Sequence, residues 1–204
     1  MENKKINNNG HYYVDLGLPS GTLWAQLNVG AEMPSDAGLY FQWGDTKGYT
    51  ADQVGKDEGQ KKFDLDDYKW GKYLNFTKYT LPSDRLELVD DAANVNMGGD
   101  WHIPTPEQIQ ELLDCTTNKW MKCNGRNGRM FTSKKDRSKF IFIPAAGIAL
   151  RGSVYDSGYF ASIWSSRLNY FSHESGQQLH FDSETIDVGW YFRSDGLTVR
   201  GVIG

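Results

Sequence analysis

The chain has 204 residues, 39% of them hydrophobic, and a formal charge of −4. That length supports one well-buried core, while the acidic balance excludes the concentrated basic surface that a phosphate backbone demands, so no nucleic-acid partner is expected. With 14% aromatics and 22 glycines the composition is that of a globular protein rich in strands, turns and loops, and no apolar run approaches membrane-spanning length, so no membrane insertion is expected.

Residues 1 to 10 are polar and read as a flexible tail, without the apolar stretch of a signal peptide. A single domain is expected over residues 11 to 204. It opens on His11-Tyr12-Tyr13-Val14-Asp15-Leu16, followed by a turn at Gly17-Leu18-Pro19-Ser20-Gly21. From Thr22 onward alternation turns Leu23, Ala25, Leu27 and Val29 inward, the signature of a half-buried strand. Gly38 to Gly44 reads as a short aromatic strand. Residues 45 to 81 lack periodicity and read as a long surface loop.

One helix is expected over residues 83 to 94, with Ser83 as cap and Leu86, Val89 and Ala93 inward. Asp90 and Asp91 suit helix caps and structural acceptors. A clearer helix follows Pro104, where Thr105 can cap, Pro106 fits the first turn and Gln108 completes a capping box ahead of the stripe Ile109, Leu112 and Leu113. Asn124-Gly125 and Asn127-Gly128 are turn signals, Lys139 to Ile143 is an apolar strand, and four or five short strands follow. This order of strands, helices and strands is an α+β layout.

Little in the chain suits catalysis or metal binding. The two cysteines, Cys115 and Cys123, either pair locally or stay as thiols, with no neighbouring histidine to build a soft-metal site. His11, His102, His173 and His180 show no spacing that places two ligands on one face. Asp57, Glu58, Asp64, Asp66 and Asp67 are oxygen donors without the glycine and terminal glutamate of a calcium loop. Ser165 and Ser166 lack the context of an activated nucleophile. No catalytic residue, metal or cofactor is therefore assigned. Trp24, Trp43, Trp101 and Trp164 fit core positions.

The final forty residues differ. In Gln178 to Asp182, Leu179 and Phe181 alternate with His180 and Asp182 as in a strand. Asp187-Val188-Gly189-Trp190-Tyr191-Phe192-Arg193-Ser194-Asp195-Gly196 then sets three consecutive aromatics among charges and glycines, more than one face can bury. Large rings beside short polar groups are typical of recognition surfaces.

Several phrases resemble one family in its own order. Tyr13-Val14-Asp15-Leu16-Gly17-Leu18-Pro19-Ser20-Gly21-Thr22-Leu23-Trp24-Ala25 and Asn28-Val29-Gly30-Ala31 resemble the opening of the Fibrobacter succinogenes major paralogous domain. Asp90-Asp91-Ala92-Ala93, Gly98-Gly99-Asp100-Trp101-His102-Ile103-Pro104-Thr105, Ile143-Pro144-Ala145-Ala146-Gly147, Trp164-Ser165-Ser166 and Val199-Arg200 continue the match. Met97, His102 and Gly201 depart from it. The resemblance implies a C-type lectin-like fold of the α+β class, with two helices, a small antiparallel sheet, and N- and C-terminal strands brought together. It also implies a binding module of gut bacteria or their phages, similar to the variable proteins of diversity-generating retroelements. On that pattern Leu179, Phe181, Ile186, Arg193, Gly196, Val199 and Arg200 are scaffold.

The function expected is non-enzymatic recognition of a cell-surface protein or glycan. The ligand-binding set is Tyr170, Phe171, His173, His180, Asp187, Trp190, Tyr191, Phe192, Ser194 and Asp195. The expected location is a virion or extracellular surface, reached from the cytoplasm by assembly. The alternative is a structural decoration subunit, with the aromatics consumed by a homo-oligomer or a larger virion or surface assembly. A formylglycine-generating-enzyme-like oxidase ranks below both, because its paired cysteines would have to be Cys115 and Cys123.

Overall fold

The computed structural model describes residues 6–72 and 75–204. Its first strands are β1 (Ile6–Asn8), β2 (His11–Val14), β3 (Leu23–Ala25), β4 (Tyr40–Phe41), β5 (Gly71–Lys72) and β6 (Asn75–Phe76). Helices α1 (Ala92–Met97) and α2 (Pro106–Cys115) come next, then β7 (Thr116–Cys123), β8 (Arg126–Ser133) and β9 (Phe140–Pro144). The remaining strands are β10 (Ile148–Leu150), β11 (Ser153–Tyr155), β12 (Ala161–Asn169), β13 (Ser172–Phe181), β14 (Ile186–Phe192), β15 (Leu197–Thr198) and β16 (Val202–Ile203).

Among the described residues strand makes up 40% and helix 11%, and only one helix, α2, reaches seven residues or more. The expected α+β, C-type lectin-like domain with two helices and one small sheet is therefore corrected to a mostly β architecture of several small sheets. One sheet runs β14-β13-β12-β15-β4, another β1-β2-β3-β16, and a third is the meander β7-β8-β9. β16 pairs antiparallel with β3, Val202 opposite Trp24, so the last strand joins the sheet built by the first three.

The lost helix has a physical cause. Around Arg85 the backbone bonds outward to β12: Leu86 N–H donates to Ser166 O (2.9 Å) and Leu168 N–H to Asp84 O (2.7 Å). Those groups cannot also join an i to i−4 ladder, and Leu88 and Val89 stay exposed. Leu88–Asp90 form a single 3-10 turn, and the α-helix begins only after Asp91, whose carboxylate accepts from Asn94 N–H, and stops at Gly98, whose φ of 70° only glycine adopts freely. α2 forms as its capping box predicts, with Thr105 and Gln108 bonding reciprocally and Ile109 and Leu112 fully buried.

Two further expectations change. The polar start contributes a strand, because Asn9 and Gly10 both take positive φ and turn β1 back onto β2; residues 1–5 lie outside the described residues. The segment from 45 to 81 is not a surface loop: Val54, Phe63, Tyr68 and Tyr79 within it are buried.

The core falls into two main clusters. One gathers Trp43, Trp101 and Trp164 with α1; the other packs Ile109 and Leu112 of α2 against Phe131, Ile163, Leu179 and Phe181. Trp24, Trp43, Trp101 and Trp164 are all fully buried, as their positions suggested. Buried arginines join distant segments through carbonyl oxygens. Arg200 donates to Asn28 Oδ1 (2.8 Å), Ala25 O and Phe142 O (3.0 Å each), and burial pulls its guanidinium down to about 9.

Candidate functional site: the C-terminal end of the five-stranded sheet

β14 is an edge strand, paired to β13 from Phe181 opposite Ile186 to Ser175 opposite Phe192. Ile186, Val188, Trp190 and Phe192 share one face by the two-residue period. The first two pack on the α2 cluster, whereas Trp190 and Phe192 stand 63% and 57% exposed. Tyr191 points to the opposite face and packs half-buried against the tryptophan cluster. The aromatic run is thus divided between core and solvent.

Beyond Phe192 the chain turns sharply, Asp195 N–H donating to Phe192 O (3.0 Å). Arg193 points inward from this turn and is fully buried. Its Nε donates to the Tyr68 hydroxyl (2.6 Å), one terminal nitrogen to Tyr79 O (3.0 Å) and His173 O (3.1 Å), and the other to Lys78 O (3.0 Å). The guanidinium also lies 4.5 Å from the Phe76 ring centroid and 5.3 Å from that of Trp43. One side chain thereby ties the turn to the 68–79 segment and to β13.

The same segment builds the neighbouring wall. Asp67 accepts from Lys62 N–H (3.0 Å), Phe63 N–H (3.1 Å) and Asp64 N–H (3.1 Å), and pairs with Lys61 at 3.3 Å. Gln42 links it onward to the turn, donating to Asp67 Oδ1 (2.8 Å) and Ser194 O (2.6 Å). Phe63 is held in the left-handed region at φ 56°, a conformation costly for a bulky side chain, and is fully buried. The β10–β11 turn docks here as well, Gly152 N–H donating to Lys62 O (2.6 Å).

Between these walls lies a cleft of about 670 Å³. Its apolar lining includes Phe63, Leu65, Phe76 and Leu150, and its charged lining Asp64, Asp66, Arg151, Glu174 and Asp195. Asp195 is only 7% exposed. Burial lifts its carboxyl to about 7, with Ser194 and Arg151 opposing the rise and Asp64 adding to it.

No protein-family model, curated protein or solved structure matches the chain.

Of the expected contact residues, Tyr191, Phe192, Ser194 and Asp195 line the cleft. Trp190 stands on the face beside it, opposite Gln177. Tyr170 and Phe171 form the β12–β13 turn at the same end of the sheet, edge to face at 5.4 Å and 67% and 90% exposed. His173 is half-buried there, its carbonyl taken by Arg193. His180 and Asp187 pair with each other five residues along β13 from Ser175, the partner of Phe192, about 17 Å away at strand spacing. His180 instead meets Phe160 at 5.4 Å and Ser162 Oγ at 3.5 Å. Ser194 and Asp195 are buried lining rather than the open surface expected of them.

The cleft residues from 63 to 76 and from 150 to 151 carry no periodic signal. Their aromatics, set among turn residues, were the one available hint. Asp67, weighed for calcium, is occupied by amides and Lys61. Among the described residues no group of three or more His, Cys, Asp or Glu is placed to hold a metal. Cys115, the last residue of α2, and Cys123, the last of β7, are free thiols, separated by the whole of β7, about 23 Å at strand spacing and far beyond disulfide reach. No helix among the described residues is long and apolar enough to cross a membrane.

Proposed function

We propose that the protein is a non-enzymatic binding module that recognises a protein or glycan on a cell, displayed on a phage particle or other surface assembly. The observation that carries this reading is the grouping of Tyr170, Phe171, Trp190 and Phe192, all exposed, beside an open and largely apolar cleft at one end of a sheet. Exposed rings grouped in this way have little to gain from water, and they supply contact area at low entropic cost. The Arg193 clamp keeps the turn beneath them rigid, as a preorganised contact surface requires. The resemblance to the Fibrobacter succinogenes major paralogous domain supports the same reading: Asp187, Trp190, Tyr191, Phe192, Ser194 and Asp195 stand where that family varies, and all but Asp187 lie at this end of the sheet.

The test is adsorption of labelled protein to candidate host cells and to immobilised glycans. Replacing Phe171, Trp190 and Phe192 together by Ala is expected to abolish adsorption while the circular dichroism spectrum and cooperative melt persist. Undiminished adsorption would overturn the assignment of this surface. A decoration subunit is the second reading, because β14 is an edge strand that carries Trp190 and Phe192. Light scattering separates the two, since a monomer at micromolar concentration is incompatible with self-packing through that edge.

A further inference from the structure

Three aspartates are buried, and they are satisfied very differently. Asp90 accepts from Lys78 (2.6 Å), the Tyr79 hydroxyl (2.6 Å) and Lys69 (3.2 Å). Asp91 accepts from Asn94 N–H (2.9 Å) and Ile103 N–H (2.8 Å). Asp195, more than nine-tenths buried, receives among the described residues one long contact, from Ser194 Oγ to Oδ1 at 3.4 Å. Arg151, the one basic residue on the cleft lining, is exposed and forms no ion pair with it among the described residues. A carboxylate left this way in an apolar cleft is costly unless a cation completes it.

We propose that the cleft receives the ammonium group of a lysine side chain on a partner protein, with Asp195 as its counter-ion and Leu65, Phe76 and Tyr191 beside its stem. This deepens the recognition reading above and rests on it. The charge balance of the lining favours a cation, since Asp64, Glu174 and Asp195 face a single arginine, while Asp66 is paired with Lys72 at 3.0 Å. Aromatic faces add to that attraction. A compact point-charge ammonium suits a carboxylate that is only 7% exposed better than a broad guanidinium fork does. The apolar lining suits a methylene stem, which needs no partner, over a sugar whose hydroxyls would each require one.

The test titrates the full chain with Nα-acetyl-lysine methylamide, with its norleucine counterpart, which keeps the stem without the ammonium, and with glucosamine. At pH 8 the lysine compound is expected to bind at least about tenfold more tightly than the norleucine compound, the margin of one charge-assisted contact. Asp195→Asn is expected to remove that margin. A second measurement needs no variant: lysine affinity should rise from pH 6 to pH 8 as Asp195 yields its proton, under the influence of Ser194, Arg151 and Asp64. Equal binding of lysine and norleucine, a margin that survives Asp195→Asn, pH-independent affinity, preference for glucosamine, or no lysine binding below about 10 mM would each overturn the proposal. A protein that adsorbs to cells but ignores lysine refutes the amine site alone; one that binds lysine but no cell refutes the wider reading alone.

Discussion

Arg193 offers the sharpest test of the architecture beneath the cleft. Arg193→Ala strips donors from four acceptors at once: the carbonyls of Lys78, Tyr79 and His173, and the Tyr68 hydroxyl. Each buried acceptor left unpaired costs about 1–3 kcal/mol, and since two of the four contacts are buried and two part-buried, the loss is roughly 2–6 kcal/mol. Water entering the vacated space can return part of this, while the packing lost against Trp43 and Phe76 adds to it. Against a typical total of about 5–15 kcal/mol, the variant should be marginally folded. Arg193→Lys keeps the charge but not the planar fork and should fall between the two. Equilibrium unfolding in urea, followed by tryptophan fluorescence, reads these differences directly. A loss below about 1 kcal/mol for Arg193→Ala would refute the claim that this side chain carries the turn, since one unpaired acceptor alone should cost that much.

Two other outcomes follow from the same region. The Asp195 carboxyl titrates near 7 when folded but near 4 when unfolded, so between those values the folded protein holds a proton that the unfolded chain has released. Its contribution therefore favours folding at the acid end and is lost as pH rises through that window, by up to about 4 kcal/mol. Asp195→Asn should gain on the native protein progressively from pH 4 to pH 8 in parallel denaturation series, and parallel curves would refute it. Gly196→Ala places a Cβ 2.5 Å from the Phe63 ring and 2.9 Å from Ala149 Cβ, while Ala149 and Gly196 exchange backbone hydrogen bonds at 2.8 and 2.7 Å. A destabilisation of about 1–3 kcal/mol is expected by overpacking, and a melt within error of the native one would refute the contact.

Legibility varied with how local the physics was. The start of α2 was readable because Thr105, Pro106 and Gln108 act within one turn on their own backbone. The four core tryptophans and the apolar strand from Lys139 to Ile143 were readable for a similar reason, since strand pattern sets side-chain facing. The helix expected before Asn94 was not, because Asp84, Leu86 and β12 meet only in three dimensions. That the aromatic run could not be wholly buried was legible, but not how it divides: Trp190 and Phe192 are exposed, Tyr191 packs half-buried against the tryptophan cluster, and Ser194 and Asp195 sank into the cleft wall.

Composition, capping and alternation determined on their own that this is a non-basic, strand-rich chain with one well-announced helix and a C-terminal run it cannot wholly bury. Only the tertiary structure decided where that surplus goes. Burial in β14 depends on how far the α2 cluster extends under the edge strand, and the isolation of Asp195 depends on segments more than a hundred residues away in sequence. Neither quantity is a property of any local window, because what a side chain gains from burial or loses from an absent partner is set by its neighbours in space.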